Sequence, residues 1–316
     1  MTTLVTGAGL VGTSFARHAL KRGERVVFFD PEPREGFLRF KLGDQGYGFA
    51  RKDVRDLASL IEAIQESKAT TVVHSAGLIG GRVQQALGHA FDINVGGTRN
   101  VAEAVRLTGV KRLVHISTFG VYDMRREVSA PVTEDFPRGQ GRGYGNFKCA
   151  KELILEAWQQ QYKFELIMLR PANVYGFGHF FAGSSGGMKM QALLQAGLDG
   201  RKARIPLAET MANEYIYADD MGRAADLAAT VAMPKETIFN IGNGYVTTFE
   251  DVVKTVKEVA PALNYEVEAG EPPHSKLFPL DISRAKKHLG WEPKFSLRAG
   301  FEDYLGELKR ARAAGF

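Results

Sequence analysis

A glycine-rich turn follows a short β-type run within the first twelve residues. TTLVT (residues 2–6) leads into GAGLVG, where Gly7, Gly9 and Gly12 form a G-x-G-x-x-G pattern as a helical stretch begins at about residues 11–22. In such a pattern the first glycine permits a tight turn, the second lets the backbone approach a pyrophosphate, and the third lets helix and strand pack closely. The helix N-terminus then presents unpaired N–H groups to the phosphates. The pattern predicts a strand–turn–helix unit that binds a dinucleotide.

The remainder of the first half repeats this alternation of strand and helix. Continuous apolar runs are typical of strands covered on both faces, and their alternation with helical patterns favours a parallel sheet between two layers of helices. The predicted strands are residues 2–6, 25–30, 46–50, 70–75, 112–117 and 164–170, and the predicted helices lie at about 11–22, 56–67, 94–109 and 144–162.

After residue 170 the pattern changes. Strand alternation is lost at first, then a strand–helix–strand passage and several more helices follow. We therefore predict an α/β fold, a Rossmann-type doubly wound parallel sheet with a smaller, discontinuous C-terminal α/β cap that binds the substrate. The predicted division assigns residues 1–175 and 214–247 to the dinucleotide-binding domain, and residues 176–213 and 248–316 to the cap.

Composition and charge exclude several classes of protein. With 316 residues, 44% hydrophobic and 24% charged, the chain has the composition of a globular protein with a sizeable core. Its 41 basic and 36 acidic residues are dispersed, which argues against a nucleic-acid partner. Cys149 is the only cysteine, so no intrachain disulfide is possible. We see no signal peptide and no apolar run of ~18 residues, and expect a cytoplasmic protein without membrane contact.

An acidic residue ends the second predicted strand. Asp30 lies eighteen residues after Gly12, where a carboxylate hydrogen-bonds the adenosine ribose hydroxyls and repels a 2′-phosphate. It predicts NAD as the cofactor. The alternative is that Asp30 only opens a turn with Pro31. Arg34 argues partly the other way, because an arginine nearby accommodates the 2′-phosphate of NADP.

A second group of residues indicates hydride chemistry. Tyr144 and Lys148 are four residues apart on a predicted helix and share a face, while Ser117 and Thr118 end a predicted strand. A tyrosine, with a pKa of about 10, must lose ~2–3 units to act as a base near neutral pH, which is ~3–4 kcal/mol. The Lys148 ammonium and the positive nicotinamide of NAD⁺ are expected to supply it. A hydroxyl where the strand ends can hold the substrate oxygen, since open parallel sheets bind ligands there.

With these motifs the chain resembles the extended short-chain dehydrogenases/reductases, the NAD-dependent epimerase/dehydratase family, over essentially its full length. The resemblance rests on TGAGLVG, Asp53-Val54, VVHSAG, NVGGTRN, HISTFGVY, YGNFK, LRPANVYG, EYIYADD and LGWEP. It implies a catalytic set of Thr118, with Ser117 beside it, Tyr144 and Lys148. It also implies a homodimer built from the helices at about 94–109 and 144–162, where Val101, Val105, Leu153 and Trp158 add apolar surface unless all of them face the sheet.

The implied binding residues form two groups. Those for the cofactor are Gly7, Gly9, Leu10, Val11, Gly12, Asp30, Arg34, Asp53, Val54, Ser75, Ala76, Gly77, Asn94, Tyr144, Lys148, Pro171, Asn173 and Val174. Those for the substrate are Leu78, Arg82, Thr118, Phe119, Arg142, Asn173, His179 and Met188. Arg142 follows Gly139 and Gly141, and this glycine-rich loop is either a mobile segment that carries Arg142 over the substrate or a solvent-exposed connector.

Three departures from the family concern the substrate. Phe119-Gly120 replaces the Asp-Glu of sugar-nucleotide 4,6-dehydratases, which argues against that dehydration. Asn213 stands where sugar-nucleotide epimerases carry an arginine that pairs with the diphosphate, and EPPHSKLF (271–278) replaces a second arginine-bearing segment. Arginine suits phosphates because its planar fork binds them bidentately. The departures therefore predict a substrate without a nucleotide diphosphate, unless other cations substitute, namely Lys189, Arg201 or Lys276.

Together these features predict an NAD-dependent oxidoreductase that transfers a hydride at a secondary alcohol of a small carbohydrate-like or polyhydroxylated substrate. The alternative is an NAD-dependent nucleotide-sugar epimerase, in which the hydride returns to the opposite face of a transient keto intermediate. Net NADH production separates the two. A third possibility is a cofactor-sensing binding protein on an inactive scaffold. No histidines or cysteines show metal-ligand spacing, so no metal is predicted.

Overall fold

The computed structural model describes residues 1–139, 143–179, 185–273 and 277–315. The predictions made for Gly141, Arg142 and Lys276 lie outside the described residues. Within those ranges, no helix is both long enough and apolar enough to cross a membrane.

Strands and helices alternate along the described chain, as the sequence predicts. The strands are β1 (Thr2–Thr6), β2 (Arg25–Phe29), β3 (Tyr47–Ala50), β4 (Thr71–His74), β5 (Arg112–Ile116), β6 (Glu165–Pro171), β7 (Asn173–Tyr175), β8 (Lys202–Pro206), β9 (Tyr215–Tyr217), β10 (Ile238–Ile241) and β11 (Asn264–Glu268). The helices are α1 (Leu10–Lys21), α2 (Glu35–Leu42), α3 (Leu57–Ser67), α4 (Gly81–Gln85), α5 (Leu87–Phe91), α6 (Gly97–Thr108), α7 (Gly143–Tyr162), α8 (Ser185–Asp199), α9 (Ala218–Thr230), α10 (Phe249–Val259), α11 (Ser283–Leu289) and α12 (Leu297–Ala313).

A parallel sheet, seven-stranded in the described residues, forms the centre of the molecule. Its order is β10-β6-β5-β4-β1-β2-β3, so the strand order reverses beside β1, where Leu4 lies between Val27 and Val72. This reversal is the point at which doubly wound sheets bind ligands. The predicted α/β fold with a doubly wound parallel sheet is confirmed.

Helices cover the sheet on both faces. Val5 and its neighbours on one face pack against α1 and α9, and Leu4 and its neighbours on the other face pack against α3, α6 and α7. Successive strand residues point to opposite faces, so a strand buried on both sides favours apolar residues at successive positions. This explains Leu4-Val5, Val72-Val73 and Leu113-Val114 at the centres of β1, β4 and β5.

A second apolar cluster lies in the C-terminal part of the chain. It joins α8, α10 and α12 to the small parallel pair β8–β11 and to the tyrosines of β7 and β9. Ala285, Leu289 and Trp291 belong to the sheet's cluster instead, although the predicted boundary assigns them to the cap. The predicted division into two domains stays a prediction.

Several short elements were not predicted from the sequence, among them β8 and α2. In β8, KARIP buries only Ala203 and Ile205, and the strand forms because β11 pairs with it. Helix α2 is only eight residues long and buries Phe37 and Leu38. Such short elements depend on tertiary contacts more than on local sequence pattern.

Candidate active site

The glycine-rich turn between β1 and α1 has the geometry of an anion cradle. Gly7 has φ +89°, and a Cβ there would lie 3.0 Å from the Ala76 nitrogen. A Cβ on Gly12 would collide with the Gly7 carbonyl oxygen, so Gly12 keeps α1 close to the turn. A Cβ on Gly9 would meet no described atom within 4 Å, so the backbone there faces open space. The turn fits a dinucleotide pyrophosphate at the N-terminus of α1.

Asp30 lies directly beside this turn. Its Oδ2 accepts a hydrogen bond from the Ala8 N–H at 2.8 Å, and its Oδ1 accepts one from the Glu32 N–H at 2.9 Å. A carboxylate has about four acceptor positions, so both oxygens keep capacity for ribose hydroxyls. The predicted turn role and the predicted cofactor role are therefore compatible. Arg34 is exposed at the start of α2.

The predicted cofactor contacts Asp53 and Val54 already bond to the protein. The guanidinium of Arg55 hydrogen-bonds both Asp53 oxygens, at 3.0 and 2.7 Å, and these bonds hold the pKa of Asp53 below its usual value. Val54 is buried, and Asn100 Nδ2 donates to its carbonyl at 3.0 Å. Arg55 therefore fixes the Asp53 carboxylate, whose Oδ2, with one bond, keeps acceptor capacity for a ligand.

A second wall of the cleft follows β4. Ser75 Oγ donates to the Thr6 carbonyl at 2.8 Å, which ties this wall to β1. Asn94, in a π-helical turn, accepts from the Leu78 N–H at 2.7 Å and donates to the Leu78 carbonyl at 3.0 Å. Lys151 Nζ donates to the Ala76 carbonyl at 3.0 Å. Side chains from α7 and the π-helical turn therefore fix the backbone around Gly77.

Thr118, Tyr144 and Lys148 meet where β5 ends. A hydrogen bond joins the side chains of Thr118 and Tyr144. Lys148 Nζ donates to the Ile116 carbonyl at 3.0 Å and lies 5.9 Å from the Tyr144 ring centroid. Burial lowers the pKa of Lys148 to about 8, against a raising effect of the Glu152 carboxylate. The structure thus brings together the three predicted catalytic side chains.

The pKa of Tyr144 is shifted in the direction opposite to the one expected. The protein around the hydroxyl raises this pKa to about 12, against the lowering effect of the Thr118 hydrogen bond, although the side chain as a whole is only half-buried. Lys148 contributes no lowering. The expectation that Lys148 depresses the tyrosine pKa is therefore wrong for the protein groups alone, because loss of hydration disfavours the phenolate.

Ser117 occupies a different environment from Thr118. Its hydroxyl donates to Glu152 Oε1 at 2.5 Å, and Glu152 is fully buried. Arg170 binds both Glu152 oxygens, at 3.0 and 2.7 Å, and Arg138 adds a bond of 2.9 Å. Burial opposes ionisation of Glu152, but the arginine hydrogen bonds hold its pKa below the usual value. Ser117 therefore belongs to an ion-pair network, away from the pair formed by Thr118 and Tyr144.

Among the predicted substrate-binding residues, Asn173 forms hydrogen bonds to two neighbouring residues. Its Nδ2 donates to Asn213 Oδ1 at 3.0 Å and to the Glu214 carbonyl at 3.2 Å. Glu214 is buried and accepts N–H bonds from Gly244 and Leu280, yet burial raises its pKa to about 7. This cluster joins β7 and β9 next to the carboxyl end of β6.

The other predicted substrate contacts are more dispersed. Met188 is 43% exposed and Arg82 is exposed, whereas Phe119 packs against the sheet's apolar cluster. Burial lowers the pKa of His179 to about 4, against a backbone hydrogen bond with Val174 that raises it. The remaining predicted residues Leu10, Val11, Leu78 and Pro171 lie along the same edge of the sheet or beside it.

Several buried charged residues were missed or undervalued by reasoning from sequence. On α7, Lys148, Lys151, Glu152 and Leu155 are all buried. Their spacing of three, four and seven residues is that of one helix face. The sequence does carry a signal for Lys151 and Glu152, because both are charged residues at positions that the helical periodicity predicts to be buried.

Comparisons with known proteins cover nearly the whole chain. The model of the NAD dependent epimerase/dehydratase family matches residues 3–242. A UDP-glucose 4-epimerase of Mycolicibacterium smegmatis is 31% identical over 311 residues, which are 95% of this chain and 96% of that protein.

Two solved structures extend the similarity to the three-dimensional fold. The UDP-glucose 4-epimerase of Thermus thermophilus in complex with NAD has a TM-score of 0.83 at 27% identity, covering 98% of this chain and 100% of that one. The UDP-glucose 4-epimerase of Thermotoga maritima with UDP-glucose has a TM-score of 0.85 at 25% identity, covering 99% and 100%. Sheet and cap are matched together.

Proposed function

Because the chain belongs to the NAD dependent epimerase/dehydratase family, we propose that it is a nucleotide-sugar 4-epimerase that acts on UDP-hexoses. As a member of this family it is an enzyme that uses NAD. The observation that carries the proposal is the full-length similarity, at 31% identity, to a UDP-glucose 4-epimerase. The predicted substrate without a nucleotide diphosphate is not supported by the comparisons, and the alternative, an epimerase, fits them better.

In this proposal the chemistry belongs to the side chains at the end of β5. Tyr144 accepts the proton of the sugar hydroxyl as the C–H hydride leaves, and it returns that proton when the hydride comes back on the opposite face. Thr118 orients the hydroxyl, and its hydrogen bond with Tyr144 supports this role. Bound NAD⁺ supplies the hydride acceptor and a positive ring. Lys148, four residues after Tyr144 on α7, is expected to bind the nicotinamide ribose.

Elimination of water is disfavoured at the same position. Phe119 packs against the apolar cluster of the sheet and Gly120 has no side chain, so neither supplies the acid and base of a 4,6-dehydratase. The proposed reaction therefore stays at one carbon, with oxidation followed by reduction and no net change in the cofactor.

The test assays epimerisation and net oxidation in the same sample. Proton NMR should show that purified protein converts UDP-glucose to UDP-galactose. Absorbance at 340 nm should show that no NADH accumulates. Tyr144→Phe should lower turnover by ~10²–10⁴, the usual contribution of general acid–base catalysis. Tyr47→Phe is a matched control, because Tyr47 lies on the edge strand β3 and donates to the Gly43 carbonyl. NADH formation from an unphosphorylated sugar, without UDP-hexose conversion, would restore the dehydrogenase interpretation.

Assembly through α6 and α7 is the second part of the proposal. Leu107, Leu153 and Tyr162 are 49%, 55% and 45% exposed on these two helices, and residues of both helices, Arg99 and Trp158 among them, line a groove of about 560 Å³. Val101 and Val105 do not add to this surface, because each is 1% exposed and packs in the core. An exposed apolar patch of this kind favours a homodimer.

Light scattering at micromolar concentration should give twice the chain mass of 34.7 kDa. Leu153→Asp should shift the protein toward monomer, whereas Val267→Asp, at a 41% exposed position on β11 in the cap, serves as the control. A monomeric wild-type protein would contradict this part of the proposal.

A further inference from the structure

Lys189 places a positive charge in the interior of the cap. It lies on α8 and is only 4% exposed. Its Nζ donates to the Glu209 carbonyl oxygen at 2.5 Å, and the ring centroids of Tyr215 and Phe249 lie 5.8 and 5.6 Å away. In the described part of the chain, no carboxylate oxygen lies within 4.0 Å of this ammonium. The charge is therefore buried with a neutral partner.

A buried ammonium with no carboxylate in contact is costly, because one carbonyl and two aromatic faces replace only part of its hydration. Burial lowers the pKa of Lys189 to about 8, against a raising effect of the Glu209 carboxylate at longer range. Near neutral pH the group is still mainly protonated. An ammonium has three donors, and one of them serves Glu209. An anionic ligand would therefore lower the free energy of the site.

The side chain lies beside the predicted substrate residues. A Cβ on Gly186, one turn before Lys189, would contact the Tyr215 ring at 3.2 Å and Asn173 Oδ1 at 3.4 Å. Residues three apart share a helix face, so Lys189 is on the side of α8 that faces β7 and β9. The side-chain amide of Asn213, two residues before Tyr215, accepts a bond from Asn173 and donates to the Met211 carbonyl. Lys189 is thus the cation beside these residues.

We propose that Lys189 is the counter-charge for the diphosphate of the substrate, and that it distinguishes nucleoside diphosphates from uncharged nucleosides. This inference rests on the proposed function, since it assumes a UDP-hexose substrate. Of the other cations that the sequence suggests, Arg201 is exposed and pairs with Asp199, and Lys276 lies outside the described residues. A lysine acts on phosphate as a point charge, so no bidentate geometry is required.

The experiment compares UDP and uridine as competitive inhibitors of UDP-glucose turnover. Lys189→Met keeps the length and apolar stem of the side chain and removes its charge. This variant should raise the inhibition constant of UDP at least tenfold and leave that of uridine within twofold, because only UDP carries the diphosphate. Lys189→Arg should keep the preference for UDP. Lys202→Met is the matched control, since Lys202 is an exposed cap lysine paired with Glu266.

The outcomes separate this inference from the proposed function. Equal weakening of UDP and uridine would mean that Lys189 only positions the 207–210 turn through Glu209, and the inference would fail. No change in either inhibition constant would also overturn it. If the wild-type protein neither converts UDP-glucose nor is inhibited by UDP, the proposed function itself fails. Lys189→Gln, which is uncharged but keeps a donor, replaces the methionine variant if that variant does not fold, with the same expected ratio.

Discussion

The ionisation of Tyr144 tests how this site does its chemistry. The protein groups raise its pKa to about 12, through burial opposed by the Thr118 hydrogen bond. A base that works near pH 8 needs a pKa about four units lower, and at ~1.36 kcal/mol per unit this is about 5 kcal/mol. Lys148 does not supply it in the protein without cofactor, because its own pKa is about 8 and the amine is neutral before Tyr144 ionises. We therefore expect the positive ring of bound NAD⁺ to supply most of the lowering.

The measurement is a phenolate titration at 295 nm, taken as the difference between wild type and Tyr144→Phe. In NAD-free protein the difference signal should not appear below about pH 11, because the pKa is about 12. In NAD⁺-loaded protein it should move down by several units. Lys148→Met should leave the NAD-free titration nearly unchanged. A Tyr144 phenolate below pH 9 without the cofactor would refute the reasoning, since the protein alone would then stabilise the charged form.

Three further predictions concern the cofactor and the buried charges. If Asp30 accepts the ribose hydroxyls, NAD⁺ should bind at least tenfold better than NADP⁺ by calorimetry, and Asp30→Ala should narrow this gap mainly by weakening NAD⁺. Glu152→Gln leaves two arginines without their shared carboxylate and should lower the free energy of unfolding by ~3–5 kcal/mol in urea titrations, whereas a loss below ~1 kcal/mol would contradict the network. Burial lowers the pKa of His74 and His115 well below 6.5. As the pH drops below 6.5, these histidines therefore bind protons in the unfolded chain before they do so in the folded protein. The free energy of unfolding then falls by up to ~1.4 kcal/mol per pH unit for each histidine. Urea denaturation at several pH values should give the slope of the free energy of unfolding against pH, and His115→Phe should halve that slope.

The sheet could be predicted from sequence because its signal is local. Each central strand carries consecutive apolar, β-branched or leucine residues at its centre, and this pattern needs only its own residues to be recognised. The charged face of α7 could not be predicted in the same way. Lys151 and Glu152 are buried because the Ala76 carbonyl and Arg170, which lie far away in the sequence, meet them there. Periodicity indicates which face is inside, and tertiary contacts decide whether a charge is tolerated on it.

The predicted substrate without a nucleotide diphosphate is not supported by the comparisons, and a related reason applies to it. The absence of arginine at Asn213 was interpreted as the absence of a diphosphate, as though only that position could hold the counter-charge. Charge compensation depends on distance in space, and a lysine on another element can serve if the fold brings it near. Lys189 was one of three candidates from the sequence, and only its burial beside Tyr215 separates it from the exposed Arg201.

The sequence places two hydroxyls, those of Ser117 and Thr118, next to each other, and only the geometry assigns each of them a role. Successive residues of an extended segment point to opposite sides, so only one of the two can face the cleft. The motif alone favours neither residue strongly. Ser117 donates to Glu152, whose other bonds come from arginines, and its proton is therefore committed to the network that supports α7. Thr118 shares a hydrogen bond with Tyr144. The proposed orienting role therefore belongs to Thr118, with Ser117 acting through the position of the helix that carries Tyr144.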